Sequence, residues 1–425
     1  MGTQKTLGLF QPLQAEEGEM RIEYMEYRPV SQISNKSVIE FDVSARGKRY
    51  FDLRRSRFLV EIRILKADGT VIDEESNVAL INQAHATIFR QCEVLMQQVP
   101  INPDIGLNYP YKAYIDTQLM YSEDAKEAHL QSEFVFHDTA AAFNSPDPAD
   151  KANVGLYTRY LFTKGGQSIL LSGPLHADVF SIDRYLINGV PLNIKLYPGH
   201  DSFALMSPNN GYQVQILDAK LKMCQVHVSN DILEQHDKCL EYGPALYPMN
   251  KSEIKVCSIP AGMTSYRMND MFQGRVPSRL IVGLTPSKAY NGSYQDNPFY
   301  FPHMDVNYMA FHVDGVSRPD QPFTPDFANN KYVESFLSLS RGVGNDRKNT
   351  GNYIDIREYP KAYALHVFDV HGTRHDNIYA QPSKGQTMLE IRFAKPLPEP
   401  TVAIIYATFS ACIEVDKARN IVVKL

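Results

Sequence analysis

The chain has 425 residues, of which 21% are charged and 44% are hydrophobic, and its formal net charge is −5 at pH 7. This length exceeds what one ordinary hydrophobic core supports, so we expect two domains or three, and the composition excludes an intrinsically disordered chain. The negative charge excludes a global positive field that would hold nucleic acid by neutralising its phosphates.

Residues 1–36 are predicted to form an extended N-terminal arm, because they are polar and of mixed charge. The opening residues MGTQKTLGLF lack the apolar run of a signal peptide, and no stretch approaches the length of a membrane span. We therefore expect no secretion by a signal peptide and no membrane span. Gly2 and Thr6 fit the myristoylation pattern, but so short a pattern also matches often by chance.

Residues 37–240 are predicted to form the first domain. Apolar residues alternate with polar ones in several runs, which is typical of half-buried strands. The serine and the acids of SEDAKEAHLQ (122–131) favour a short helix. The residues that share one strand face are Phe58, Val60, Ile62 and Ile64 in an early run, and Leu217, Ala219, Leu221 and Met223 in a late one.

One stretch of this domain, residues 172–199, places His176, Asp178, Ser181 and Asp183 close together in sequence. A catalytic nucleophile and its base must meet in space, which adjacency in sequence rarely achieves. Short polar side chains also form hydrogen bonds at turns and strand edges. We favour this second role, because a turn at 188–189 and an alternating strand follow.

A basic segment, RGKRYFDLRRSR (46–57), places six basic residues in twelve positions. Such a segment can be a nuclear localisation signal or a contact for packaged DNA. The interleaved Asp52 and the apolar strand that follows favour a solvated strand face and turn instead.

Residues 241–425 are predicted to form the second domain. Residues 240–262 form a connector that continues into its first strand, and DFANNKYVESFLSL (326–339) contains a short helix. KPLPEP (395–400) is predicted to form a rigid corner between two strands. His371 and His375 in HGTRH could bind a metal from a turn, although an exposed loop pair is the better prediction without further ligands.

The two halves carry a degenerate repeat. LNIKL (192–196) parallels LEIRF (389–393), and ILDAKLKMC (216–224) parallels IIYATFSAC (404–412). Together with many short alternating strands and few helices, this repeat predicts a mainly β protein. The fold we expect is two tandem eight-stranded jelly-roll β-sandwiches with short helices and long loop insertions.

The sequence contains no recognised catalytic motif such as a phosphate-binding glycine loop, HExxH or GxSxG. Its cysteines are odd in number, widely spaced and without a CxxC pair, which argues against a disulfide framework and a structural zinc site. We expect free, mostly buried thiols in a reducing compartment, and a protein that is not an enzyme, with no catalytic, cofactor or metal residues. The five cysteines are Cys92, Cys224, Cys239, Cys257 and Cys412.

Four long runs carry a family resemblance, and they are residues 110–130, 172–196, 289–315 and 389–400. They resemble the major capsid protein of Polintons, also called Mavericks, which are virus-like transposons related to the adintoviruses. The resemblance extends from about Tyr27 to the C-terminus. It implies a double jelly-roll protein, similar to adenovirus hexon, whose homotrimers form pseudo-hexagonal capsomers. These would tile an icosahedral shell around double-stranded DNA.

The resemblance also implies partners and a location. These are neighbouring capsomers and a separate single-jelly-roll penton protein in the capsid of a virion assembled in the host nucleus or cytoplasm. We expect no sequence-specific nucleic-acid binding. The run 297–311 is rich in aromatic residues, which dominate protein interfaces. We expect Phe299, Tyr300 and Phe301 at the trimer interface, and the strand from Tyr308 in the core.

Two alternatives stay open from the sequence. The first is a glycan-binding or glycan-processing protein on a double jelly roll, which would need a cleft with clustered acids and aromatic residues. The second is a host-domesticated copy that has kept the fold but no longer assembles.

Overall fold

A computed structural model of the chain describes residues 19–34, 36–44, 47–101, 107–370 and 383–424. The predictions that concern Gly2, Thr6, His371 and His375 lie outside these residues. None of the helices in the described part of the chain has the length and apolar character that crossing a bilayer requires.

The first sandwich contains two four-stranded antiparallel sheets, ordered β1-β10-β3-β7 and β2-β8-β5-β6, and a small pair, β4-β9. Its strands are β1 Glu19–Tyr27, β2 Ile39–Val43, β3 Arg49–Lys66, β4 Ala79–Leu80, β5 Phe89–Met96, β6 Val99–Pro100, β7 Ile169–Gly173, β8 Leu192–Pro198, β9 Leu205–Met206 and β10 Tyr212–Val228.

The second sandwich contains the sheets β11-β20-β14-β17 and β12-β19-β15-β16, with β21 paired to β20 and a small pair, β13-β18. Its strands are β11 Ala245–Ile259, β12 Ser265–Asn269, β13 Arg275–Val276, β14 Arg279–Pro286, β15 Val306–Val313, β16 Val316–Ser317, β17 His366–Asp369, β18 Ser383–Lys384, β19 Thr387–Phe393, β20 Thr401–Val415 and β21 Ile421–Lys424.

The two sandwiches have the same topology. In each, the first, eighth, third and sixth main strands form one sheet, and the second, seventh, fourth and fifth form the other. This order is that of a jelly roll, so the predicted mainly β, double jelly-roll fold is confirmed. The repeat segments also occupy equivalent strands, since 192–196 and 389–393 lie in the seventh strands and 216–224 and 404–412 lie in the eighth.

Short helices and long insertions decorate both sandwiches. The predicted helices after Ser122 and near Tyr332 are present as α3 and α8. The α-helices are α1 Ala84–Thr87, α2 Asn108–Met120, α3 Glu123–Lys126, α4 Val154–Thr163, α5 Asp201–Ala204, α6 Asn230–Tyr242, α7 Ser287–Asn291, α8 Val333–Arg341 and α9 Tyr359–Ala362. The 3₁₀ helices are His129–Glu133, Ala140–Ala142, Pro148–Asp150, Lys164–Gly166, Asp178–Ser181 and Phe327–Asn329.

Alternation in sequence identified the core faces of β3 and β10 with one error. The four predicted residues of β3 are at most 1% exposed, and Ala219, Leu221 and Met223 of β10 are equally buried. Leu217 is 37% exposed, because the pairing of β10 with β3 shifts register between Ile216 and Asp218. A bulge at this point turns the intervening side chain away from the core.

The structure also corrects the extent of the predicted arm. β1 lies inside the predicted arm of residues 1–36, but it pairs with β10 from Glu19↔Val228 to Tyr27↔Leu221 and is an edge strand of the first sandwich. The division predicted at residues 240 and 241 falls within α6, which links the sandwiches. That division stays a prediction.

Candidate assembly surfaces and the junction between the sandwiches

A cluster of aromatic side chains joins the insertions of the two sandwiches. Helix α2 of the first half contributes Tyr111 and Tyr114, and the segment between α7 and β15 contributes Phe299 and Phe301. The Tyr114 and Phe299 rings are stacked with centroids 4.0 Å apart, and the Tyr111 ring meets Phe299 edge-on at 5.6 Å. All four side chains are at most 1% exposed, so this cluster is a shared core between the halves.

This burial corrects the interface expectation for Phe299 and Phe301. Both are 0% exposed within the single chain and therefore cannot contact a partner while the fold is intact. Tyr300 is half-buried, with its ring stacked on Phe143 at 6.2 Å, and its interface role stays a prediction. The strand that begins near Tyr308 was expected in the core, and Phe311 in this strand, β15, is fully buried in the core of the second sandwich.

A buried polar network crosses the same junction. The Lys112 ammonium group in α2 lies 2.7 Å from Asp116 and 3.1 Å from Asp178. The Asp178 carboxylate accepts hydrogen bonds from the backbone N–H of Ser252 in β11 at 2.8 Å and from the Ser252 hydroxyl at 2.8 Å. The Tyr406 hydroxyl in β20 donates to Asp116 at 2.9 Å.

The Lys112 ammonium group stays charged although it is buried. Burial acts to lower the pKa of Lys112, but Asp116 and Asp178 outweigh it and raise that pKa well above its usual value. A buried charge of this kind is stable only while its partners are present. The network therefore links the two sandwiches through groups that depend on one another.

The four polar residues singled out at 176–183 bind different partners. Asp178 belongs to the junction network, so it is a buried link and not the turn or strand-edge residue we expected. Asp183 is exposed and pairs with Arg54, and Ser181 is exposed at the end of a 3₁₀ helix. His176 lies elsewhere, in a buried group with His85 and Glu133.

The group around His176 is compact. The His176 Nε2 atom lies 2.8 Å from a Glu133 carboxylate oxygen and 3.2 Å from the side-chain amide nitrogen of Gln83. Burial acts to raise the pKa of Glu133, but the neighbouring His176 outweighs it and lowers that pKa. Burial lowers the pKa of His85 to about 4, so its ring is neutral at pH 7.

Sequence reasoning did not identify Lys112, Asp116, His85 or Glu133. A signal for the first two exists, because a lysine and an aspartate four positions apart are the charged residues of helix α2. His85 and Glu133 lie 48 positions apart on different elements, and only the fold brings them together.

An open groove of about 960 Å³ lies between α6, the start of β11 and the first sandwich. Four tyrosines line it, namely Tyr50, Tyr185, Tyr242 and Tyr247. Tyr242 is 92% exposed and Leu246 is 46% exposed. Large apolar side chains exposed around a groove mark an interaction surface.

The basic segment is largely paired on the surface. Arg49 contacts Glu23 at 3.0 Å, Arg55 contacts Asp52 at 3.4 Å, and Arg54 pairs with Asp183. These pairs fit the predicted solvated strand face. Arg55 and Arg57, with Lys222, also line a shallow cleft of about 410 Å³ on the outer face of the first sandwich.

No disulfide joins the five cysteines, all of which lie among the described residues, and two of them are buried. Cys92 and Cys224 are buried, Cys257 and Cys412 are half-buried, and Cys239 on α6 is exposed.

Comparison with known protein sequences identifies a relative of similar extent. No protein-family model matches the sequence. An uncharacterized protein of Caenorhabditis elegans, F54H12.2, is 24% identical over 398 residues, which cover 90% of this chain and 92% of that protein.

Among solved structures, the chain is similar to three viral ones. The Sputnik virophage structure has a TM-score of 0.62 at 12% identity, covering 98% of this chain and 90% of that one. The PBCV-1 virus capsid has a TM-score of 0.57 at 9% identity, covering 97% and 98%. The mavirus major capsid protein has a TM-score of 0.52 at 11% identity, covering 95% and 90%. At these identities the likeness establishes the double jelly-roll fold.

Proposed function

We propose that this chain is a structural major capsid protein that acts by assembly and not by turnover. The observation that carries the proposal is the whole-chain match of two equivalent sandwiches to viral capsid structures, with 95–98% of the chain covered. A fold alone does not fix a function, but here the match extends over nearly the whole length of this chain and over 90–98% of each matched chain.

The proposed assembly unit is a homotrimer. Each chain contributes two jelly rolls of identical strand order, so three chains present six similar sandwiches around one axis. Such a tile has nearly sixfold edges and packs with copies of itself into a pseudo-hexagonal lattice. An icosahedral shell around double-stranded DNA then needs a different protein, the single-jelly-roll penton, at its fivefold vertices.

The proposed contact surface is the groove beside α6. Tyr242 and Leu246 expose apolar area at its rim, and a second copy of this chain is the occupant we assign to it. Tyr300 stays a proposed interface residue as well.

The element that we propose as the source is a Polinton or Maverick. The resemblance of the four sequence runs supports this assignment, and a nematode carries a relative that matches over 92% of its length. The proposed location is the virion capsid, assembled inside the host cell.

A glycan-binding protein is the second candidate, and the four tyrosines of the groove are the observation that favours it. Glycosidases pair two carboxyl groups across the scissile bond, whereas Asp183 is the one acid among the described residues that line this groove. Specific binding of the purified chain on a glycan array would support this second candidate. A domesticated copy would fold but form no tiles.

Negative-stain imaging of the purified full chain tests the proposal. Triangular or hexagonal tiles, or closed shells, are the expected result. Single particles the size of one chain at micromolar concentration would contradict it, and specific glycan binding by those particles would favour the second candidate.

A further inference from the structure

Three side chains that could bind a metal ion converge inside the first sandwich. His85 lies on α1, Glu133 ends the 3₁₀ helix His129–Glu133, and His176 follows β7. One ring nitrogen of each histidine and one Glu133 carboxylate oxygen lie within 4.8 Å of one another. His85 and Glu133 are 0% and 3% exposed, so the group is shielded from solvent.

The His85 ring is oriented as a metal-binding imidazole is. Its Nε2 lies 2.9 Å from the Phe58 carbonyl oxygen, so Nε2 carries the proton and donates it. The other nitrogen, Nδ1, is fully buried and has no hydrogen-bond partner within the described chain. A histidine that binds a metal commonly donates its second N–H to a backbone carbonyl in this way. A buried lone pair without a partner is costly, which points to a ligand for it.

The side chain of Gln83 borders this group as well. The side chain of Gln83 contacts His176 at 3.2 Å and Glu133 at 3.4 Å through its amide nitrogen, while its Oε1 is buried and unpartnered among the described residues. A buried amide oxygen without a protein partner can hold a bound water molecule.

The backbone leaves room for this group at one glycine. A Cβ added at Gly173 in β7 would lie 2.5 Å from Glu133 Cγ and 3.1 Å from His85 Cε1. Only glycine therefore lets β7 approach both side chains as closely as it does.

We propose that His85 Nδ1, His176 Nε2 and a Glu133 oxygen form a binding site for Zn²⁺. Two imidazoles and one carboxylate are a ligand set that zinc takes, with a fourth position left for water. The ion would connect α1, the 3₁₀ helix and the end of β7, which stabilises the insertions against the sandwich. This site departs from our expectation of no metal residues, and it does not depend on whether the chain assembles.

The test uses the full chain, stripped with a chelator and then titrated with Zn²⁺ by calorimetry and with Co²⁺ by visible absorption. One ion per chain, tetrahedral cobalt absorption and a raised thermal midpoint with zinc are the expected results. His176→Gln and Glu133→Gln are each expected to weaken zinc binding at least about 10-fold. His129 is an exposed histidine near Glu133 in sequence, so the control variant His129→Gln should bind zinc as the unmodified chain does.

The double variant His371→Gln/His375→Gln is the second control, because the HGTRH pair is the other metal candidate in the sequence. Failure of the stripped unmodified chain to bind one zinc ion per chain would overturn the proposal, even where a variant fails to fold. Loss of binding in the double variant, with retention in His176→Gln, would also overturn it.

Discussion

The ring of Tyr114 lies face to face on the ring of Phe299, with 4.0 Å between centroids and 2° between planes. Tyr114 belongs to the insertion of the first sandwich and Phe299 to that of the second. Because both rings are buried, the two sandwiches share a core and are not merely tethered.

The Phe299→Ala variant should therefore unfold more easily than the unmodified chain. Loss of a fully buried phenylalanine costs about 3–5 kcal/mol of the free energy of unfolding. Tyr300→Ala, one position along and half-buried, is the control and should cost clearly less. Urea unfolding followed by circular dichroism measures both. Equal costs at the two positions would contradict the assignment of Phe299 to the shared core.

Removal of the Asp178 carboxylate should weaken the junction. Asp178→Ala leaves Lys112 with one acid partner and the Ser252 N–H without its acceptor, which costs about 3–5 kcal/mol for a buried pair. Asp183→Ala removes an exposed acid nearby and should stay within about 0.5 kcal/mol. A cost below about 1 kcal/mol for Asp178→Ala, from the same urea unfolding measurement, would show that the network does not hold the halves together.

His366 should make the fold sensitive to acid. Burial lowers its pKa to about 4 from the ordinary 6.5, so the unfolded chain binds a proton below pH 6.5 that the folded chain binds only near pH 4. Its contribution is complete above pH 6.5 and is lost as the pH falls toward 4. Between pH 7 and pH 5 this amounts to about 2 kcal/mol of unfolding free energy.

Comparison of His366→Gln with the unmodified chain isolates this contribution. The variant should lose about 2 kcal/mol less than the unmodified chain between pH 7 and pH 5. The exposed His129→Gln should follow the unmodified chain. The same pH dependence in all three proteins would mean that His366 titrates normally.

Tyr242 should matter for assembly and not for folding. It is 92% exposed, so Tyr242→Ser should leave the unfolding free energy within about 0.5 kcal/mol. If the groove binds a second copy, loss of this ring should raise the dissociation constant for assembly about 10-fold or more. Tyr24→Ser, an exposed tyrosine on β1, is the matched control. An equal effect of both variants in light scattering would contradict the groove as the contact.

The sequence predicted much of this fold because its signals are local. The alternation in β3 and the repeated segments in the seventh and eighth strands directly reflect strand faces and order. The prediction for Leu217 was wrong, because a bulge turns its side chain away from the core without changing the alternation of apolar and polar residues in the sequence. The edge strand β1 was not predicted either, because a largely exposed edge strand has a polar sequence that resembles an extended arm.

The buried sites could not be predicted in the same way. Asp178 and Ser252 are 74 positions apart, and of the two acids beside Lys112 only Asp116 is near it in sequence, whereas the fold brings Asp178 to it. Phe299 and Phe301 were expected at the trimer interface and are buried within the chain. Composition cannot tell whether a chain buries such residues in itself or in a partner.

The mass of the purified chain in solution tests the central claim most directly. Light scattering at micromolar concentration should give a stable species of three times the 48.2 kDa chain mass, or larger assemblies built from it. A species of one chain mass at every concentration tested would contradict the account of this protein as a capsid component.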